Sequence, residues 1–242
     1  MRMLTHVIFL ALTAVCFDLA LGPGDAGAAA SISGRAVFEG PPPARRQLKM
    51  SADPACEKAN PEGRLGEALV VAADGGIANV FVYVKEGLGD QTFPRPKQPV
   101  EIDQVDCMYT PRVIGAMAGQ TIAIRNSDST LHNVHSLPKN SKQFNNAMPL
   151  KGMTIKKRFA ASEIMVRMKC DVHPWMGSYV GVVGHPFHAV SSADGSFTIS
   201  GLPAGTYTME AWHERLGTKT ATVTVADGAS ANADFSFTPV AK

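Results

Sequence analysis

Apolar and polar residues alternate in short runs along most of this chain, and Gly, Pro, Asn and Asp separate the runs. Alternation with a period of two predicts β-strands that bury one face. No long segment shows the stripe of an amphipathic helix. The runs that predict strands are Ser33 to Phe38, Asn79 to Lys85, Thr121 to Arg125, Ile164 to Cys170, Tyr179 to Val183, Ser196 to Ser200, Tyr207 to Trp212, Thr220 to Val225 and Ala233 to Phe237. Their spacing predicts an all-β protein of sandwiches or barrels.

The first thirty residues have a different pattern. Arg2 is followed by an apolar run from Val7 to Phe17 and by small residues that end at Ala30. This order is typical of a cleaved secretory signal, and the apolar run is too short to span a bilayer. Lipid anchoring through Cys16 is a less favoured alternative, because the bulky Val15 precedes it. We therefore expect residues 1–30 to be a signal peptide and the mature chain to be periplasmic or secreted, with no membrane span.

The charge balance is mild, with 23 basic and 21 acidic residues. A balance of this kind gives no indication of nucleic-acid binding. Basic residues cluster at Arg45-Arg46 and at Lys156 to Arg158. Such clusters are most often solvated faces, and the alternative is a docking surface for an acidic redox partner.

One short segment gathers three kinds of metal ligand, in the order Cys170-Asp171-Val172-His173-Pro174-Trp175-Met176. Thiolate and thioether are soft ligands, and imidazole suits copper in either oxidation state. Two histidines, one cysteine and a weak axial methionine form the mononuclear copper site of electron-transfer proteins.

The cysteine count agrees with a metal role for Cys170. Removal of a signal containing Cys16 leaves three cysteines, an odd number for an exported protein. If Cys170 is a metal thiolate, Cys56 and Cys107 remain as a pair for an intramolecular disulfide. The alternative is that both are buried thiols.

The second imidazole must come from elsewhere, and two histidines compete upstream. His132 and His135 are three residues apart, so on an extended strand their rings point to opposite faces and cannot readily bind the same ion. A structural or surface role is the default interpretation for His135, and equally for His185, His188 and His213.

At these residues the chain resembles the cupredoxins, or blue copper proteins, with an amicyanin-like loop. The matching segments are Gly119 to Ile122, Arg125-Asn126, Leu131 to His135 and Cys170 to Met176. The resemblance implies His132, Cys170 and His173 as equatorial copper ligands and Met176 as the axial ligand. It also implies that Asn133 links the two ligand segments through hydrogen bonds. Asp171 departs from the family pattern, in which Ser, Thr or Pro is more familiar.

A second resemblance covers Ala193 to Met209, with its Asp-Gly and Leu-Pro-Ala-Gly turns. This segment is similar to the carboxypeptidase regulatory-like domain, a small prealbumin-like β-sandwich. We expect residues 89–186 to form a cupredoxin-like Greek-key sandwich and residues 187–242 to belong to the small sandwich. Residues 31–88 supply its opening strands if the copper domain is inserted into it. The rival is that those early strands belong to the copper domain.

These patterns predict a periplasmic type 1 copper protein that carries single electrons between transient protein redox partners. We expect no enzymatic activity, because four protein ligands leave no open position for a substrate. The His173 ring, expected at the rim, would then be the exit for the electron, beside an apolar patch of Pro174 and Trp175. The main alternative is a protein that binds or delivers copper without electron transfer, since Met148, Met153, Met165 and Met168 lie close in sequence. A structural zinc module and an adhesion protein are further alternatives.

Overall fold

The structure, a computed structural model, describes residues 28–239, so most of the expected signal peptide lies outside the described residues. Within this range no helix is long and apolar enough to cross a membrane. The described residues form one short helix, α1 (Pro54–Ala59), and 17 strands. The strands are β1 (Ala30–Phe38), β2 (Phe81–Glu86), β3 (Val100–Val105), β4 (Met108–Thr110), β5 (Val113–Met117), β6 (Ile122–Asn126), β7 (His132–Leu137), β8 (Asn145–Met148), β9 (Thr154–Lys157), β10 (Glu163–Lys169), β11 (Gly177–Val183), β12 (His188–Val190), β13 (Ser196–Leu202), β14 (Gly205–His213), β15 (Gly217–Val225), β16 (Ser230–Asn232) and β17 (Phe235–Phe237). The predicted all-β class is confirmed.

One sandwich combines strands from both ends of the chain. Its first sheet places β1 between β13 and β16, with β17 pairing the far end of β1. Its second sheet has the order β12-β2-β14-β15. Side chains from the two sheets meet in one apolar core that includes Ile32, Val82, Met209 and Phe237. The opening strands β1 and β2 are therefore joined to the last third of the chain.

A second sandwich is made only from strands between β2 and β12. Its sheets have the orders β5-β11-β10-β7-β8 and β4-β3-β6-β9. The core between them includes Ile102, Ile124, Val134, Val166 and Val180. This pairing is the pattern expected of a unit inserted into the small sandwich, and the domain limits at residues 88 and 186 stay a prediction.

The two sandwiches pack together where two glycines lie side by side on neighbouring strands of one sheet. Gly181 of β11 pairs with Gly115 of β5. A side chain at Gly181 would collide with the Phe81 ring, and one at Gly115 would collide with the His188 ring. The missing side chains thus let β2 and β12 of the small sandwich approach the sheet of the other closely.

Strand order also brings the predicted ligand segments together. Strand β7 pairs with β10, so that His135 lies opposite Lys169. The loop that contains Cys170 and His173 joins β10 to β11, and His132 is the first residue of β7. All three residues therefore lie at the same end of one sheet.

His213 generates a prediction about stability and pH. Its side chain is buried and accepts a hydrogen bond from the backbone N–H of Arg215. Burial, helped by the charges of Arg112 and Arg215, lowers its pKa to about 4. The unfolded chain, with a pKa of about 6.5 for this residue, then binds a proton more readily than the folded chain does.

We therefore expect neutral His213 to contribute fully to the free energy of unfolding above about pH 6.5. As the pH falls towards 4, that free energy should decrease by roughly 2–3 kcal/mol. Guanidinium denaturation at about pH 7.5 and about pH 4.5 measures this loss. The His213→Gln variant, which does not titrate, should show a smaller difference between the two pH values. An equal difference in parent and variant would contradict the assignment.

Candidate metal centre

Three buried side chains converge at the end of the second sandwich. Ligand atoms of His132, Cys170 and His173 all lie within 4.8 Å of one another. Each of the three residues is at most 3% exposed. A thiolate and two imidazoles at these separations can bind one metal ion.

The loop between β10 and β11 is folded around the cysteine. The backbone N–H of His173 points at Cys170 Sγ, 3.4 Å away. The backbone N–H of Met176 donates to His173 O, and the N–H of Cys170 donates to Met176 O. Met176 is buried, at 1% exposure, and its backbone closes the loop that carries Cys170 and His173.

Asn133 joins the two ligand segments, as the resemblance to cupredoxins implied. Its Oδ1 accepts a hydrogen bond from the backbone N–H of Asp171 at 2.6 Å and lies 3.2 Å from Cys170 Sγ. The hydroxyl of Tyr109 ties the same segments a second time, because it contacts both Asn133 O and Lys169 O. The position of the sulfur is therefore fixed from β7 as well as from its own loop.

Both imidazole rings present the same nitrogen to the centre. The Nδ1 atoms of His132 and His173 lie 3.0 Å apart, and His173 Nδ1 is 3.8 Å from Cys170 Sγ. Each Nε2 faces a carboxylate instead: His132 Nε2 is 2.8 Å from Asp128 Oδ2, and His173 Nε2 is 2.8 Å from Asp53 Oδ2. A ring that donates from Nε2 keeps the lone pair of Nδ1 for a metal.

The two carboxylates are anchored at the disulfide between Cys56 and Cys107. Asp53 caps α1 by accepting from the backbone N–H groups of Ala55 and Cys56. Asp128 accepts from the N–H groups of Asp106 and Cys107. The predicted disulfide is confirmed, since the two sulfur atoms are bonded at 2.02 Å.

The charges in the cluster favour the thiolate form of Cys170. Burial opposes ionisation of Cys170, but contact with His132 and nearby backbone N–H groups lower its pKa. Burial likewise opposes protonation of His132, but Asp128 and Cys170 raise its pKa to about 9. The pKa values of Asp53 and Asp128 are lowered against burial by their histidine and backbone donors. A cation is thus stabilised at the place where the three ligand atoms meet.

The expected exposure of His173 is wrong. The residue is 1% exposed, because Asp53 and α1 cover the edge of its ring that carries Nε2. Sequence reasoning missed both Asp53 and Asp128. The pair Asp53-Pro54 is a helix N-cap signal that could have indicated α1, and Asp128 lies in a polar turn. Neither local pattern indicates which histidine the carboxylate contacts.

The remaining histidines lie outside this cluster. His135 contacts Asp171 and Gln143 rather than Cys170. Asp171 itself points into a polar network, and Lys169, with His135, holds its pKa well below the usual range. His185 contacts Val84 O, and His188 packs on Phe81.

Part of the small sandwich matches a known domain family. Residues 172–238 match the family model of the carboxypeptidase regulatory-like domain. The match spans strands β11 to β17, which is less than half of the chain. No curated protein matches the sequence.

Solved structures that align with the chain include cupredoxins. A purple cupredoxin from Nitrosopumilus maritimus is 26% identical, with 34% of this chain and 98% of that chain covered, at a TM-score of 0.30. A mutant of amicyanin in the Cu(I) state is 17% identical, with 42% and 97% covered, at a TM-score of 0.32. A copper-containing nitrite reductase from Thermus scotoductus SA-01 is 17% identical, with 40% and 25% covered, at a TM-score of 0.33.

The carboxylate contact of His173 generates a prediction about metal affinity. Replacing Asp53 by Asn keeps the size of the side chain but removes the charge that polarises the ring. We expect the affinity for Co²⁺ to fall about 10- to 100-fold. A cobalt titration, followed by thiolate-to-metal absorption, measures the change. The control is Asp171→Asn, which alters a carboxylate beside Cys170 that contacts neither ligand ring. Equal affinities in parent and Asp53→Asn would show that this contact does not support the site.

Proposed function

We propose that this protein is a type 1 copper protein that carries single electrons between redox partners. The observation that carries the proposal is the buried convergence of Cys170 Sγ with His132 and His173, within 4.8 Å of one another. Met176 lies buried in the same loop. The donor set of two imidazoles, a thiolate and a thioether is the one that copper electron-transfer sites use.

These four residues, His132, Cys170, His173 and Met176, would hold one copper ion. When bound, the ion supplies a one-electron redox couple. The residues of the chain keep the site rigid: Asn133 fixes the loop of Cys170, and the two carboxylates hold both rings. A donor set that does not rearrange between oxidation states suits fast electron transfer.

Burial favours a carrier over an enzyme. Each ligand residue is at most 3% exposed, so a substrate has no direct approach to the ion. Catalytic metal sites instead keep an open position for water or substrate. The proposal therefore includes no catalytic residue.

An exported location fits the disulfide. Bonds such as Cys56–Cys107 persist in oxidising compartments and are rare in the cytosol. With the signal-like pattern of residues 1–30, this supports a periplasmic or secreted carrier.

Copper delivery is supported less well, because the four nearby methionines lie in the cores or pack against them. Met148 and Met168 are fully buried, and Met148 Sδ accepts a hydrogen bond from Gln104. Thioethers in such positions fill a core and are not free to pass an ion to a partner.

Replacement of Cys170 by Ser tests the proposal. A thiolate bonded to Cu(II) gives an intense visible charge-transfer band, and serine removes the sulfur. We expect the band in the copper-loaded parent and none in Cys170→Ser, measured by electronic absorption and electron spin resonance. The control is His135→Ala, which should keep the band, because His135 lies outside the cluster. An unchanged spectrum in Cys170→Ser would exclude this site.

Redox cycling separates the carrier from a delivery protein. We expect the loaded protein to keep its copper through repeated reduction and oxidation, because the ligands are buried and braced. Copper analysis after gel filtration of the reduced protein measures retention. Release of the metal on reduction would favour delivery.

A further inference from the structure

Asp53 and α1 cover the His173 ring, so an electron cannot pass directly from this ring to a partner at the surface. The ring edge carrying Nε2 faces Asp53 and lies 3.6 Å from Cys56 Sγ, so a partner protein cannot touch it. Among the described residues, the rings packed on His173 are those of His132 and Trp175. His132 is itself fully buried. Trp175 is only half-buried, so it is the aromatic neighbour that reaches the surface.

We infer that electrons leave the site through Trp175 and that an acidic protein partner docks over it. This inference rests on the proposed electron-carrier function. The centroids of the His173 and Trp175 rings are 5.1 Å apart, with planes inclined at 41°. The indole is held in place because its Nε1 donates to Cys107 O at 3.0 Å. Ring contact and a fixed indole give a short path from a ligand to the surface.

The surface over Trp175 forms a depression of about 310 Å³. We call it the Trp175 depression. Its lining consists of Arg46, Gln47, Leu48, Lys49, Pro174 and Trp175. Leu48, Pro174 and Trp175 are its apolar side chains, and the remaining side chains are polar or basic. A small patch of this composition suits a brief redox encounter rather than a stable complex.

Charge complementarity indicates the kind of partner. Arg46 and Lys49 are exposed, and both charged side chains of the lining are basic. Neither forms an ion pair with any residue in the described range 28–239. Two unpaired cations beside an apolar patch attract a carboxylate-rich protein surface and speed its encounter. A membrane or nucleic acid would instead favour a longer basic stripe.

Electron transfer to charged small oxidants tests the depression. The mature copper-loaded protein, in its reduced form, is mixed with anionic hexacyanoferrate(III) or with cationic tris(phenanthroline)cobalt(III). The double variant Arg46→Glu/Lys49→Glu should react about tenfold more slowly with the anion at low salt and faster with the cation. Added salt should shrink both differences. The control is Lys97→Glu/Lys219→Glu, which makes the same change in net charge at exposed lysines outside the depression and should differ far less from the parent.

Two further measurements separate the parts of the inference. Poly-L-glutamate should slow the reaction of the parent with hexacyanoferrate and leave Arg46→Glu/Lys49→Glu unaffected, because the polymer occupies the basic depression. Trp175→Leu should react about tenfold more slowly than the parent with both oxidants. Trp175→Phe, which keeps a ring against His173, should react nearly as fast as the parent.

Other results of these experiments would contradict the inference. Equal rates in the two double variants would exclude the docking surface, and a Trp175→Leu rate equal to that of the parent would exclude the route. Sedimentation with phosphatidylserine vesicles, abolished by Arg46→Glu/Lys49→Glu, would assign the surface to a membrane instead. Every variant is first checked for the thiolate-to-copper band. Absence of that band from the parent would refute the proposed function, whereas its presence with unaffected rates would refute only this inference.

Discussion

Each histidine of the centre is held between two negative groups, a carboxylate outside and the Cys170 sulfur inside. The carboxylates of Asp128 and Asp53 contact the Nε2 atoms at 2.8 Å, so both Nδ1 atoms turn inwards. Without these contacts the rings could rotate or take the other tautomer, and the ligand atoms would not converge. The arrangement of the candidate ligand atoms therefore depends on two carboxylates that lie outside the proposed donor set.

The disulfide explains how two loops can hold these carboxylates so firmly. Cys56 lies in α1, the helix that Asp53 caps, and the backbone N–H of Cys107 donates to Asp128. Bonding Cys56 to Cys107 thus fastens the carboxylate of each histidine to the same cross-link. Thr130 adds a third connection by donating to Asp53 Oδ2. Burying ionisable groups is costly unless they are paired, and both Asp53 and Asp128 accept hydrogen bonds from nearby donors.

The candidate ligands in the loop from Cys170 to Met176 could be named from the sequence because they are neighbours and their chemistry is specific. Their binding of copper stays a prediction. The alternating pattern also predicted the all-β class, since burial of one strand face is a local property. The contact between Asp53 and His173 could not be predicted, because these residues are 120 positions apart. Only the pairing of strands and the disulfide bring α1 over the loop. The expectation of an exposed His173 was wrong for the same reason: nothing in its own loop shows what covers it.

For the proposed electron carrier, the burial of His173 under Asp53 and α1 would have two opposite effects. It excludes water from the ligands, so that less solvent must reorganise when the charge of the site changes. It also closes the most direct contact between a ligand and a partner. In that proposal Trp175 reconciles these effects, because it belongs to the same loop as Cys170, packs on His173 and donates a hydrogen bond to Cys107 O. The chain segment that leads into α1 would supply, through Arg46 and Lys49, the charges beside this accessible aromatic side chain.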